Sequence, residues 1–227
     1  ANVDEAVKAA VFGSFLYQGE ICMSIERIVV DEKIADGFVA KFAAKARGLP
    51  ASDPVQDTAC VIGPMVAKES GPRLNALIDD ALAKGARLAT GGHAEGAVMP
   101  ATIVDHVKPG MKIYDEETFG PITTVVRVSG AEQAVTVAND TAYGLSSSVF
   151  GRSPARISAK HPKVAKSNDC AVSIGSGPSL PRSPDFTFRA MRVARGIGAF
   201  GVSKKRFSFP GSGLVTLNTT GLPAARI

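Results

Sequence analysis

The chain has 227 residues, 45% of them hydrophobic and 21% charged, with a formal net charge of +5. That length accommodates one sizeable domain, or one domain with an extension, and the composition is ordinary for a soluble globular protein. No apolar run reaches membrane-spanning length, no signal-peptide pattern opens the chain, and three widely spaced cysteines make neither a metal motif nor a disulfide framework. A cytoplasmic, reducing setting without a membrane partner is expected. With no initiating Met, the chain is expected to be a fragment or a processed product.

The net charge hides a division. After Gly151 there are 13 Lys or Arg against two acids, a local balance of +11, and that last third also holds seven of the 14 prolines. Residues 1–151 therefore read as one domain, and 152–227 as a basic, Pro/Ser/Gly-rich region of different character. Little sustained apolar periodicity is available there to offset backbone entropy, so this region is expected to be the less ordered one.

In chain order, Val3, Ala6, Val7, Ala10, Val11, Ser14 and Phe15 recur at helical spacing and predict a helix over 3–16. A Gly-containing loop with Cys22 follows, and then a strand over Ser24 to Asp31, whose run Ile28-Val29-Val30 suits a sheet buried on both faces. Ile34, Phe38, Val39, Phe42 and Ala46 mark a second helix, closed by Gly48 and Pro50. Cys60 lies in a short apolar piece and reads as structural. A third helix is predicted between Ser70 and Lys84, then strands at Arg87-Leu88-Ala89 and Ala101 to Val104, with a turn at Pro109-Gly110. Ile122 to Val128 reads as a strand, Ala131 to Asn139 as a helix, Leu145 to Phe150 as a strand and Cys170 to Ile174 as another. This alternation predicts an α/β fold, a largely parallel sheet flanked by helices, with Cys22 near the carboxyl-terminal edge of that sheet.

A thiol held at a helix-to-strand junction is exposed on a stiff backbone, as a nucleophile must be. The competing reading of any cysteine is a small buried hydrophobe. Here the neighbourhood favours chemistry. Gln18-Gly19-Glu20-Ile21-Cys22-Met23-Ser24-Ile25-Glu26-Arg27, then Glu116-Glu117-Thr118-Phe119-Gly120-Pro121, then Ala138-Asn139-Asp140 and Tyr143-Gly144-Leu145 occur in one order. Together they resemble the signatures of the NAD(P)-dependent aldehyde dehydrogenases, and Phe15-Leu16-Tyr17-Gln18-Gly19 with Cys22-Met23-Ser24 looks closest to salicylaldehyde and related aromatic aldehyde members. The resemblance covers residues 1 to 152 and then becomes patchy, as a changed reading frame would make it.

The resemblance implies that Cys22 is the nucleophile, its backbone N–H one oxyanion donor, and NAD or NADP the hydride acceptor. It implies that Glu117 takes the ribose hydroxyls, that Phe119 packs near the nicotinamide, and that Leu16, Tyr17, Ile21 and Met23 wall an apolar aldehyde tunnel. Core packing is the other reading of those four. It further implies a homo-oligomer at full length, and places the dinucleotide-binding domain and the general-base glutamate upstream of Ala1. One departure stands out: Glu20 occupies a usual Gln position, and a carboxylate beside a thiol disfavours the thiolate. His93, His106 and His161 are isolated, so a Cys-His hydrolase is disfavoured. Gly196-Ile197-Gly198-Ala199-Phe200-Gly201 has dinucleotide-loop spacing without the strand-to-helix context. Lys204-Lys205-Arg206 reads as a solvated surface rather than a nucleic-acid footprint. The alternative to an enzyme is a non-catalytic remnant that folds or associates without turnover.

Overall fold

The computed structural model describes residues 2–143, 145, 147–151 and 215–219. Helix α1 (Val3–Phe15) begins where Asn2 accepts the Glu5 N–H, with Asp4 and Glu5 in the first turn. Its buried stripe is Ala6, Val7, Ala10, Ser14 and Phe15, at the spacing read from sequence. Strand β1 (Ile25–Asp31) is buried at every position and runs directly into α2 (Glu32–Arg47), capped by Asp31 accepting from the Lys33 N–H. Then come α3 (Ser70–Ala83), β2 (Arg87–Thr90), β3 (Thr102–Asp105), α4 (Lys112–Asp115), β4 (Ile122–Val128), α5 (Gly130–Asn139), β5 (Ser147–Phe150) and β6 (Val215–Thr219).

These strands form one sheet in the order β2-β3-β4-β1-β6-β5. The centre, β3-β4-β1, is parallel; β2 and β6 run against it, and β5, antiparallel to β6, rejoins the common direction. Four of the six strands thus point one way. Both faces are covered. Ile28 and Val30 face a core shared with α1 and α2, where the Phe15, Phe38 and Phe42 rings pack, while Val29 faces a second core with Leu74, Leu77, Ile78 and Ala134. Alternate strand residues point to opposite faces, so a strand between two helical layers needs apolar groups at consecutive positions. The architecture is α/β, as expected.

Two elements were not read from sequence: the single turn α4, and β6, which pairs antiparallel with both β1 and β5. The strand expected at Cys170 to Ile174, His161, the glycines of 196–201 and Lys204-Lys205-Arg206 lie outside the described residues, as does the rest of 152–227 apart from β6. No helix among the described residues is long and apolar enough to cross a membrane.

One expectation is corrected. Cys22 lies at the amino-terminal edge of the parallel strands, not the carboxyl-terminal edge, because its loop leads into β1 rather than out of it. At the far edge, Arg127 of β4 donates to Asp105 at 3.1 and 2.7 Å and to Asp36 at 2.6 Å. Asp105 is only 5% exposed, so Arg127→Ala strands a buried carboxylate. The expected loss is about 2–3 kcal/mol, read as a lowered urea midpoint at unchanged slope.

Candidate active site

Between α1 and β1 the backbone makes an unusual turn. Tyr17, Gln18 and Gly19 all have left-handed φ, at 49°, 58° and 68°. A left-handed conformation costs a non-glycine residue about 1–2 kcal/mol, so the surroundings must hold the loop in place. They do so from three sides. The Glu20 N–H donates to the Tyr17 carbonyl at 3.0 Å and the Ser24 N–H to the Ile21 carbonyl at 2.8 Å, closing a turn around Cys22. Gln18 Nε2 donates to the Pro64 carbonyl at 3.4 Å, and both Glu20 carboxylate oxygens accept from the Val66 N–H at 3.1 Å. Gly19 is pressed so closely on the Gly120 carbonyl that an added Cβ would lie 2.1 Å from that oxygen.

Cys22 is exposed at the tip of this loop, and its N–H makes no hydrogen bond among the described residues. Leu16, Ile21 and Met23 are half-buried around it and Tyr17 is 69% exposed. The concern over Glu20 is met in part by geometry. Its carboxylate is fastened to Val66, and burial raises its pKa against the opposing pull of that N–H. Less of it is therefore ionised at a given pH than in an ordinary glutamate.

The Gly19–Gly120 contact brings Glu117 and Phe119 to the same edge as Cys22, since both loops enter adjacent parallel strands, β1 and β4. Phe119 is half-buried with φ 42°. Glu117 Oε1 is buried without a hydrogen-bond partner. An orphaned carboxylate oxygen calls for a donor from outside the described residues, and a sugar hydroxyl has that chemistry. The cofactor inferred from sequence therefore fits the residues present.

Sequence reading missed three residues that hold the site together. Glu26, 6% exposed, accepts the Thr118 and Phe119 N–H groups on one oxygen, each at 3.0 Å. Arg73 of α3 donates to the carbonyls of Glu117 and Thr118. Arg27, also buried, donates to the carbonyls of Tyr114, Val137 and Asp140 and lies 4.1 Å from the Tyr114 ring centre. The Tyr114 hydroxyl donates to Asp140, and burial followed by that hydrogen bond pushes its pKa up to about 12. The signal was present as two charged residues, Glu26-Arg27, opening an otherwise apolar strand. Segments far apart in sequence, 18–27, 114–121 and 137–140, thus meet at the start of β1.

Against this geometry the comparisons are decisive. The profile of the aldehyde dehydrogenase family matches residues 1–169. The chain belongs to the aldehyde dehydrogenase family. It is 64% identical over 152 residues to the salicylaldehyde dehydrogenase of Pseudomonas sp. (strain C18), covering 67% of this chain and 32% of that protein. The crystal structure of a salicylaldehyde dehydrogenase from Pseudomonas putida G7 complexed with salicylaldehyde superposes with a TM-score of 0.69 at 55% identity, over 80% of this chain and 37% of that one. An NADP-dependent glyceraldehyde-3-phosphate dehydrogenase from Bacillus halodurans C-125, complexed with NADP, gives 0.68 at 30% identity, over 82% and 37%. The chain therefore spans about a third of the length of the aldehyde dehydrogenases it matches.

Proposed function

We propose that this chain carries the thiol-bearing part of an enzyme that oxidises an aromatic aldehyde of the salicylaldehyde kind to its carboxylic acid with NAD or NADP. The observation that supports this most is the seating of Gly19 on Gly120, which sets the thiol loop beside the loop of Glu117 and Phe119. The resemblance to salicylaldehyde dehydrogenases supports the choice of substrate. In this reading the Cys22 thiolate adds to the aldehyde carbon, and the Cys22 N–H and further donors hold the resulting oxyanion. NAD or NADP, when bound, would supply the acceptor for the hydride lost from that carbon. A thioester remains on Cys22, and water cleaves it to the acid and the free thiol. Glu117 holds ribose hydroxyls, Phe119 packs at the nicotinamide, and Leu16, Tyr17, Ile21 and Met23 contact the aromatic ring.

None of the described carboxylates closest to Cys22 in sequence is placed to activate that water. Glu20 is tied to Val66 and Glu26 to Thr118 and Phe119. General-base help is worth about 10²–10⁴-fold. Assayed by itself, the 227-residue chain is therefore expected to form NAD(P)H from salicylaldehyde at least ~10²-fold below the ~10 s⁻¹ ordinary for an enzyme. Turnover near that ordinary rate would show that another group of this chain supplies the base. Glu117→Gln, measured in the same chain, should weaken dinucleotide or mononucleotide binding and leave alkylation of Cys22 unchanged. Unaltered binding would remove Glu117 from the cofactor site.

A further inference from the structure

Glu26 lies four residues past the thiol, at the second position of a strand that is buried throughout and whose centre, Ile28-Val29-Val30, is apolar. Burial of a carboxyl group is unfavourable unless it is hydrogen-bonded, and at this position apolar side chains of similar size would fill a two-faced strand equally well. What the carboxyl does is specific. Its Oε1 accepts the N–H groups of two successive residues, Thr118 and Phe119, at 3.0 Å each, while Arg73 takes the carbonyls on the opposite side of the same peptides. Successive N–H groups that converge on one acceptor form a small anion-binding concavity. Phe119, the second of the two, has a left-handed φ of 42°. The concavity is thus filled from within by a side chain of β1.

We propose that Glu26 is a positioning residue for the cofactor loop: through its acceptor oxygen it fixes the peptides of Thr118 and Phe119, and so sets where Glu117 and the Phe119 ring stand relative to the Cys22 loop. Its relevance to the reaction rests on the function proposed above. The role belongs to the oxygen rather than to the charge. Burial pushes the Glu26 carboxyl up, more than its two N–H bonds pull it down, and the neighbouring Glu117 adds to the rise. A raised carboxyl pKa means that the folded state holds the proton more tightly than the unfolded chain. Stability from that proton is complete below the ordinary glutamate range near ~4.3 and is lost as pH climbs through the raised value. Gln, neutral throughout, keeps an acceptor oxygen and escapes that loss.

The test uses the ¹⁵N-labelled 227-residue chain and two variants, Glu26→Leu and Glu26→Gln, followed by amide hydrogen exchange and by titration with nicotinamide mononucleotide. In the unsubstituted chain the Thr118 and Phe119 amides should be protected. In Glu26→Leu they should exchange about tenfold faster or more while Val29 and Val125 in the sheet keep their rates. Glu26→Gln should match the unsubstituted chain and hold or raise its melting temperature at neutral pH. The proposal is overturned by unprotected Thr118 and Phe119 amides in the native chain, which needs no variant to be folded. It is equally overturned by uniform acceleration across the sheet in Glu26→Leu, or by faster Thr118 and Phe119 exchange in Glu26→Gln. With a preorganised loop, mononucleotide affinity should fall about tenfold in Glu26→Leu and not in Glu26→Gln. If the mononucleotide leaves Glu117 and Phe119 resonances unmoved in the native chain, the cofactor assignment of this loop falls, while the exchange data still decide what Glu26 holds.

Discussion

Replacing Gly19 by Ala is expected to destabilise the protein by about 3–5 kcal/mol, the largest stability effect of any single methyl group added to the thiol loop. Two penalties add. With φ at +68°, the residue sits in a region that side-chain-bearing residues disfavour. The new Cβ would also meet the Gly120 carbonyl oxygen at 2.1 Å and the Ser14 carbonyl oxygen at 2.8 Å. Both are backbone atoms, one in the loop that Glu26 and Arg73 clamp and the other in the last turn of α1, so neither can swing aside as a flexible side chain would. Thermal and urea unfolding measure the loss. A change below about 1 kcal/mol would mean that the two loops are not in the contact described. Alkylation of Cys22 should become faster in the same variant while that of Cys60 keeps its rate, since the loop that holds the Cys22 thiol is forced off Gly120.

Cys22→Ala should have the opposite profile, leaving the fold alone and removing the chemistry. Cys22 is exposed, its side chain fills no core, and nothing in either apolar cluster depends on it. Stability is therefore expected to stay within about 0.5 kcal/mol. Loss of a covalent nucleophile lowers turnover by roughly 10⁴–10⁶-fold. A stoichiometric readout avoids dependence on any turnover rate. The unsubstituted chain should release one nitrophenolate per chain in a burst with p-nitrophenyl acetate, and Cys22→Ala should release none. A burst of equal size in the variant would move the reactive thiol elsewhere in the chain and end the assignment of Cys22 as nucleophile.

The elements legible in the sequence are those whose apolar spacing is strong. Ala6, Val7 and Ala10 in α1, Phe38, Phe42 and Ala46 in α2, and Ile28-Val29-Val30 in β1 each carry their period openly, and each is buried as that period requires. The short α4 has one turn and no period to read. Strand β6 has its own β-branched residues, but what places it between β1 and β5 is pairing across more than 180 residues, which no local pattern encodes. For the site, the residue types were legible and the edge of the sheet was not. Helix–strand alternation does not by itself tell the two edges of a sheet apart, whereas the order loop-then-strand around Cys22 and around Phe119 contains the right one. Glu26 and Arg27 were passed over because the apolar run after them dominated the reading of β1.

The seating of Gly19 on Gly120 has a consequence for redesign. Two loops that touch through bare backbone at a glycine–glycine contact move as one body, so the separation between nucleophile and cofactor loop is set independently of the side chains around them. Leu16, Tyr17, Ile21 and Met23 flank Gly19 and Cys22 in sequence, and none of them is among the atoms nearest Gly19. On the function proposed above, substrate preference would be engineered by exchanging those four for larger or smaller residues, with the distance across which the hydride travels left as it was.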